Sequence, residues 1–256
     1  MNKRRSVSAA LAATALMAPV LFGQDGRQII AESQRRTRSK SQRYEGALQV
    51  MDAKRHVSAK RWNFIRLGSF GDSKSLLRFT EPPEVRGVAL LIYNHPDRAS
   101  DQWMWRPEIG RDQRIALQDR STRFFGTDFS FEDLEERDVN QFDYKVLGDE
   151  AVDGAKCWKI DSTPKQSKSS QYTHSLLWIR QDNYVLARLE GYGRNGLARR
   201  VLYRDLQNVQ GVWTARTIEV FDARKNSRTI LTLDKLEYNV PLSESDFTLQ
   251  ALRRGS

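Results

Sequence analysis

A chain of 256 residues with a formal net charge of +10 and a single cysteine has room for one large domain or two small ones, and cannot form an intramolecular disulfide. Its cohesion must come from burial, for which six Trp, eleven Phe and eight Tyr supply large side chains. No internal apolar run is long enough to cross a bilayer, and the basic excess selects anionic partners.

The first element is a leader. Lys3, Arg4 and Arg5 precede an apolar stretch from Val7 to Phe22, which gives way to Gly23, Gln24 and Asp25. This order reads as a secretory signal peptide over residues 1–24, cleaved on export, with residues 25–256 as one domain. Ser8, Thr14 and Pro19 interrupt the stretch, which makes it a weak membrane anchor. The only cysteine is Cys157, so the diacylated N-terminus of a bacterial lipoprotein is not expected. Outside the cytoplasm a basic surface meets phospholipid or lipopolysaccharide headgroups more readily than nucleic acid. A transient anionic membrane surface is therefore the expected partner, and nucleic acid is not.

From Gly26 to about Lys40 the pattern predicts a short amphipathic helix, with Asp25 as N-cap and Arg35, Arg36, Arg38 and Lys40 on its wet side. The period then changes to two. Tyr44, Leu48 and Val50 alternate with polar neighbours, as do Trp62 and Phe64, then Leu77 and Phe79; each run predicts a half-buried strand. Pro82-Pro83 breaks the pattern. Strands resume over 87–93 and 102–106, joined as a hairpin by the turn residues His95-Pro96-Asp97. In the island from Gly126 to Arg137, Ser130 with Asp133 three residues on predicts a capping box that opens a short acidic helix. After Phe142 the text is strand again to Leu236, punctuated by Asp153-Gly154 and Asn195-Gly196, both tight-turn dipeptides. The sum is roughly ten strands on short connections, which demand antiparallel neighbours. One long curled antiparallel sheet with few helices is the expected fold.

Motifs for chemistry are sparse. Gly191-Tyr192-Gly193-Arg194-Asn195-Gly196 satisfies G-x-G-x-x-G, but the text after it is strand-like where a phosphate cradle needs a helix; a glycine-rich hairpin is expected. His56, His95 and His174 lie far apart and offer no metal-ligand spacing. Cys157, beside Trp158 in a strand, reads as a small buried hydrophobe. Ser69 lacks the second glycine of a nucleophile elbow. Asp149 and Asp153 lack the alternating ligands of a calcium loop. The carboxylates from Asp128 to Asp138 read as a solvated helix face, with a general acid and base pair as the alternative. Arg35, Arg36, Arg38, Arg199 and Arg200 read as exposed. No catalytic residue, metal or cofactor is expected. What stands out is apolar bulk on a curled sheet with meagre helical cover, a face that either packs on those helices or admits an acyl chain.

The chain also carries a resemblance. The strand Tyr44-Glu45-Gly46-Ala47-Leu48, the passage Phe79-Thr80-Glu81-Pro82-Pro83-Glu84-Val85-Arg86-Gly87, Trp103-Met104-Trp105-Arg106-Pro107, Gly126-Thr127-Asp128-Phe129-Ser130 and the closing Phe247-Thr248-Leu249, in that order, resemble the outer-membrane lipoprotein-sorting protein family, in its branch of periplasmic LolA-like proteins. The resemblance implies an unclosed half barrel of antiparallel strands with helices covering its concave face, and a hydrophobic cavity that shields lipid or lipoprotein acyl chains in transit. It implies no shared catalytic residues, and an inner-membrane exporter of the RND type as a partner, either for cargo transfer or with the chain as an accessory subunit. By alternation Phe64, Leu77, Phe79, Trp103 and Trp105 are expected on one common side, lining the cavity, with Arg78 outside.

Overall fold

The computed structural model describes residues 25–254 apart from Ser167; the expected signal peptide lies outside the described residues. The alternating runs form two antiparallel meanders. The first holds β1 (Ser41–Met51), β2 (Val57–Ser69), β3 (Asp72–Glu81), β4 (Ala89–Asn94), β5 (Asp101–Arg106) and β6 (Arg111–Arg114). The second holds β7 (Phe142–Val152), β8 (Ala155–Pro164), β9 (His174–Arg180), β10 (Leu186–Gly193), β11 (Gly196–Val209), β12 (Val212–Asp222) and β13 (Ser227–Tyr238). Pairing of β1 with β13, from Gln42 opposite Tyr238 to Met51 opposite Arg228, fuses them into one sheet of 13 strands. The sheet does not close, and β6 and β7 are its edges. The expected count of roughly ten misses most plainly at β6, whose Arg-Asp-Gln-Arg carries no apolar alternation because an edge strand buries little.

Turn chemistry falls where the sequence places it. Asp153 and Gly154 both take positive φ, 47° and 79°, as a primed two-residue turn requires. At Asn195-Gly196 only Gly196 does, at 93°, and the glycine-rich motif is the hairpin between β10 and β11.

Register sorts the side chains into two faces. Val146, Ile160, Leu177, Leu189, Val201 and Val220 lie opposite one another in successive strands from β7 to β12. In the first meander Tyr44, Phe64, Leu77, Leu90 and Met104 form the equivalent row. All belong to one large apolar cluster, with Phe64 and Val146 at its partly covered margin. Helix α1 (Gly26–Thr37), capped by Asp25, which accepts from the Arg27 N–H at 3.3 Å, buries Ile29 and Ile30 in that cluster. Arg35, Arg36, Arg38 and Lys40 are exposed, as the amphipathic pattern requires.

Helix α2 (Leu249–Arg253) is on the other face, where Leu252 and Phe247 pack with Leu76, Leu91 and Trp105. The expectation that the helices jointly cover one face is thus corrected: α1 and α2 sit on opposite sides of the sheet. The same register corrects the expected common side. Trp103 lies opposite Leu91, itself opposite Leu76, so Trp103 and Trp105 face α2, away from Phe64, Leu77 and Phe79. Alternation fixes faces only within a strand, and the offset between β3 and β5 is set by the intervening strand and turns. Arg78 shares that second face but is not left to water: its Nη2 donates to the carbonyls of Ala251 and Leu252 at the end of α2, at 3.0 and 2.8 Å.

Candidate functional site

The island between the two meanders is a strap and not a solvated helix. Ser130 and Asp133 do exchange the reciprocal bonds of a capping box, at 2.7 and 3.2 Å, but only one 3-10 turn follows, Glu132–Leu134. Its carboxylates are buried or half-buried, and each fastens the strap to a different strand, turn or loop. Asp128, with no exposure, accepts from Thr229 Oγ1 of β13 at 2.7 Å and pairs with Arg123. Glu132 accepts from the Gln171 N–H at 2.8 Å, and burial raises its pKa. Asp133 accepts from the Tyr172 hydroxyl at 2.6 Å and lies 3.3 Å from Arg199 of β11. Glu135 accepts from Gln102 of β5 at 2.9 Å and from Lys168 at 2.7 Å, and pairs with Arg120. Glu136 accepts from the Phe70 N–H at 2.8 Å and pairs with Arg66 of β2.

Two expectations are corrected here. The acidic cluster is neither solvated nor a free pair of carboxyls, because burial is tolerable only when each charge finds a cation or donor. Arg199, expected to be exposed, is buried at 4% because it serves this network; its Nε donates to the Asp128 carbonyl at 2.7 Å.

Between the strap, α1 and the sheet lies a cavity of about 460 Å³. Its walls are apolar along the sheet, with Phe64, Leu177, Leu189, Val201, Tyr203 and Ile218 among the lining residues. Phe129 and Leu134 of the strap and Ile30 of α1 also line it. Its polar wall is the strap's ionic network, from Glu132 to Arg137, with Lys168 and Tyr172. Burial pushes the hydroxyls of Tyr144 and Tyr203 up to about 12, so both remain neutral over the ordinary pH range. Trp213 stands at the rim with 43% of its surface in water.

Of the five residues singled out in the sequence, only Phe64 lines this cavity. Leu77 and Phe79 share its face but are fully covered; Phe79 stacks on Phe124 at 5.3 Å and tilts against Trp62 at 5.7 Å. The second meander supplies most of the wall. Those residues carry the same alternating signal, but nothing local ranks one row of apolar side chains above another. Cys157 is buried beside Val152, Trp178 and Ala187, and burial raises its thiol pKa. Among the described residues no three His, Cys, Asp or Glu side chains are grouped to hold a metal.

A family model described as an uncharacterized protein matches residues 71–254. No curated protein matches the chain. Among solved structures, a Vibrio parahaemolyticus domain described as an outer membrane lipoprotein-sorting protein is 27% identical, with a TM-score of 0.84 over 90% of this chain and 98% of that one. A DUF1329 family protein from Desulfovibrio piger is 26% identical, with a TM-score of 0.84 over 89% and 97%. A LolA superfamily protein from Nitrosomonas europaea, at 20% identity and a TM-score of 0.72 over 90% and 100%, shares the fold.

Proposed function

Since this chain belongs to that family of uncharacterized proteins, and its structural neighbours include outer-membrane lipoprotein-sorting and LolA superfamily proteins, we propose that it is a periplasmic carrier which holds the acyl chains of a lipid or lipoprotein during transfer toward the outer membrane. The observation that carries this reading is the cavity of about 460 Å³ between sheet, strap and α1, within the roughly 300–1,000 Å³ span of small-molecule sites. Its lining is mostly apolar, so a recess of this size has room for a hydrocarbon chain. Each methylene moved from water into it gains about 0.8 kcal/mol.

No bond is made or broken in this scheme, and the buried carboxylates keep structural roles. Proton transfer to a substrate needs a carboxyl free to reach it, whereas Glu135 and Asp128 are saturated by arginine, lysine and hydroxyl partners.

The test is mass spectrometry of organic extracts from protein purified without detergent. A near-stoichiometric acylated lipid or lipopeptide is the expected result. Protein that emerges empty, and takes up no fluorescent fatty acid when titrated, would overturn the proposal. Recovery of an RND-type exporter with lipid-free protein would instead favour the accessory-subunit role.

A further inference from the structure

Three neighbouring hairpins, joining β1 to β2, β12 to β13 and β10 to β11, lie at the same end of the sheet's strands, because those strands are consecutive in its order. Their tips are closed by the pairs Met51–Val57, Asp222–Ser227 and Gly193–Gly196. They carry Lys54, Arg55, Arg194, Arg224 and Lys225, all exposed. None of these five forms an ion pair with a described residue, whereas other arginines on the same strands are matched, such as Arg61, Arg200, Arg204 and Arg228.

The nearby acids are already engaged. Asp52 accepts from the backbone N–H groups of Lys54 and His56 at 2.8 and 2.9 Å, and Asp222 accepts from those of Arg224 and Lys225 at 3.0 Å. Val57 stands among the cations with 59% exposure. Beside the tips, on the sheet face away from the carrier cavity, Met51, Leu202 and Phe221 floor a groove of about 400 Å³ with Arg55, Arg200 and Arg228 on its walls. Glu219, which also lines it, is matched by Arg204 and Arg228 at 2.9 and 3.0 Å.

We infer that this row of hairpin tips is a docking surface for an anionic phospholipid bilayer, with the groove as a recess for a headgroup phosphate. The charges are unmatched among the described residues, project from one end of the sheet where a flat surface can meet them together, and are accompanied by an apolar side chain and an apolar floor. A lipid interface offers that combination of anionic headgroups over hydrocarbon. An acidic protein would satisfy the charges but would not account for Val57 and the open floor. The inference is separate from the cargo proposal, since it uses the other face of the sheet.

Co-sedimentation with vesicles tests it. The protein should bind phosphatidylglycerol–phosphatidylcholine vesicles, ignore pure phosphatidylcholine, and release at high salt. Lys54→Glu/Arg224→Glu/Lys225→Glu should weaken binding by more than tenfold, at about fivefold or more for each reversed charge. Arg38→Glu/Lys40→Glu/Lys145→Glu, with the same change in net charge on exposed positions elsewhere, should weaken it by less than about threefold. Equal loss in both triples, or no vesicle binding, overturns the inference; binding to acidic protein columns without vesicle binding does so as well. Lipid extracted from the same preparations reports separately on the cavity, so either idea can fall alone.

Discussion

Glu135 and Lys168 meet at 2.7 Å with side chains exposed by only 4% and 6%. Neither lies in a strand, yet the pair joins the strap to the loop after β8, while Arg120 and Gln102 occupy the carboxylate's other lone pairs. The cover over the cavity is thus held down by charge where its neighbours are held by packing.

Removing one partner of such a pair leaves a buried charge uncompensated. Lys168→Met should destabilise the fold by about 3 kcal/mol, read from the midpoint of urea unfolding at unchanged slope. A loss under about 1 kcal/mol would mean that Arg120 and Gln102 alone satisfy Glu135.

Gly46 lies opposite Trp62 across β1 and β2, and a Cβ placed there would sit 2.1 Å from the indole nitrogen and 2.5 Å from Cδ1. Trp62 is 1% exposed and has nowhere to move. Gly46→Ala should therefore cost about 1–3 kcal/mol by overpacking, and Trp62→Phe in the same chain should return part of it. Additive losses in the double variant would show that the two residues do not compete for the same space.

Ala215 is buried and lines the cavity from β12. Ala215→Phe should put a ring into empty volume, lower co-purified lipid several-fold, and change stability by no more than about 1 kcal/mol. Trp105→Phe, under α2 on the opposite face, should leave lipid content unchanged; equal effects would detach cargo from the cavity.

Burial alone would raise the carboxyl pKa of Asp101, but hydrogen bonds from Arg98 at 2.7 Å, Arg114 and His95 at 3.0 Å hold it well below the usual carboxylate range. A depressed folded pKa contributes stability that is present above the unfolded value of about 3.9 and disappears as pH falls through the folded one. Asp101→Asn should therefore be less stable than the wild type near pH 7, and the gap should narrow below about pH 4. A gap constant down to about pH 2 would show that the aspartate contributes by shape and not by charge.

Much of the architecture was legible because strand alternation is local. Tyr44/Leu48, Phe64, Leu77/Phe79 and Leu177 announce half-buried strands residue by residue, and Asp153-Gly154 announces its turn. The strap's role is hidden for an equally local reason. Asp128, Glu132, Asp133, Glu135 and Glu136 spell a solvated helix unless one knows that Arg66, Arg120, Lys168 and Arg199, up to 71 residues away, converge on them.

The sequence by itself determined that this protein is mainly an antiparallel sheet with one amphipathic helix before it and apolar bulk to spare, because backbone period and turn preference depend on neighbours in the chain. Only the tertiary structure decided which apolar rows face the cavity, that Trp103 and Trp105 belong to the other side, and that the acidic island is a buried cover. Those facts depend on register between strands and on charges brought together from distant segments, and a one-residue offset or one distant arginine reverses them without altering the local pattern.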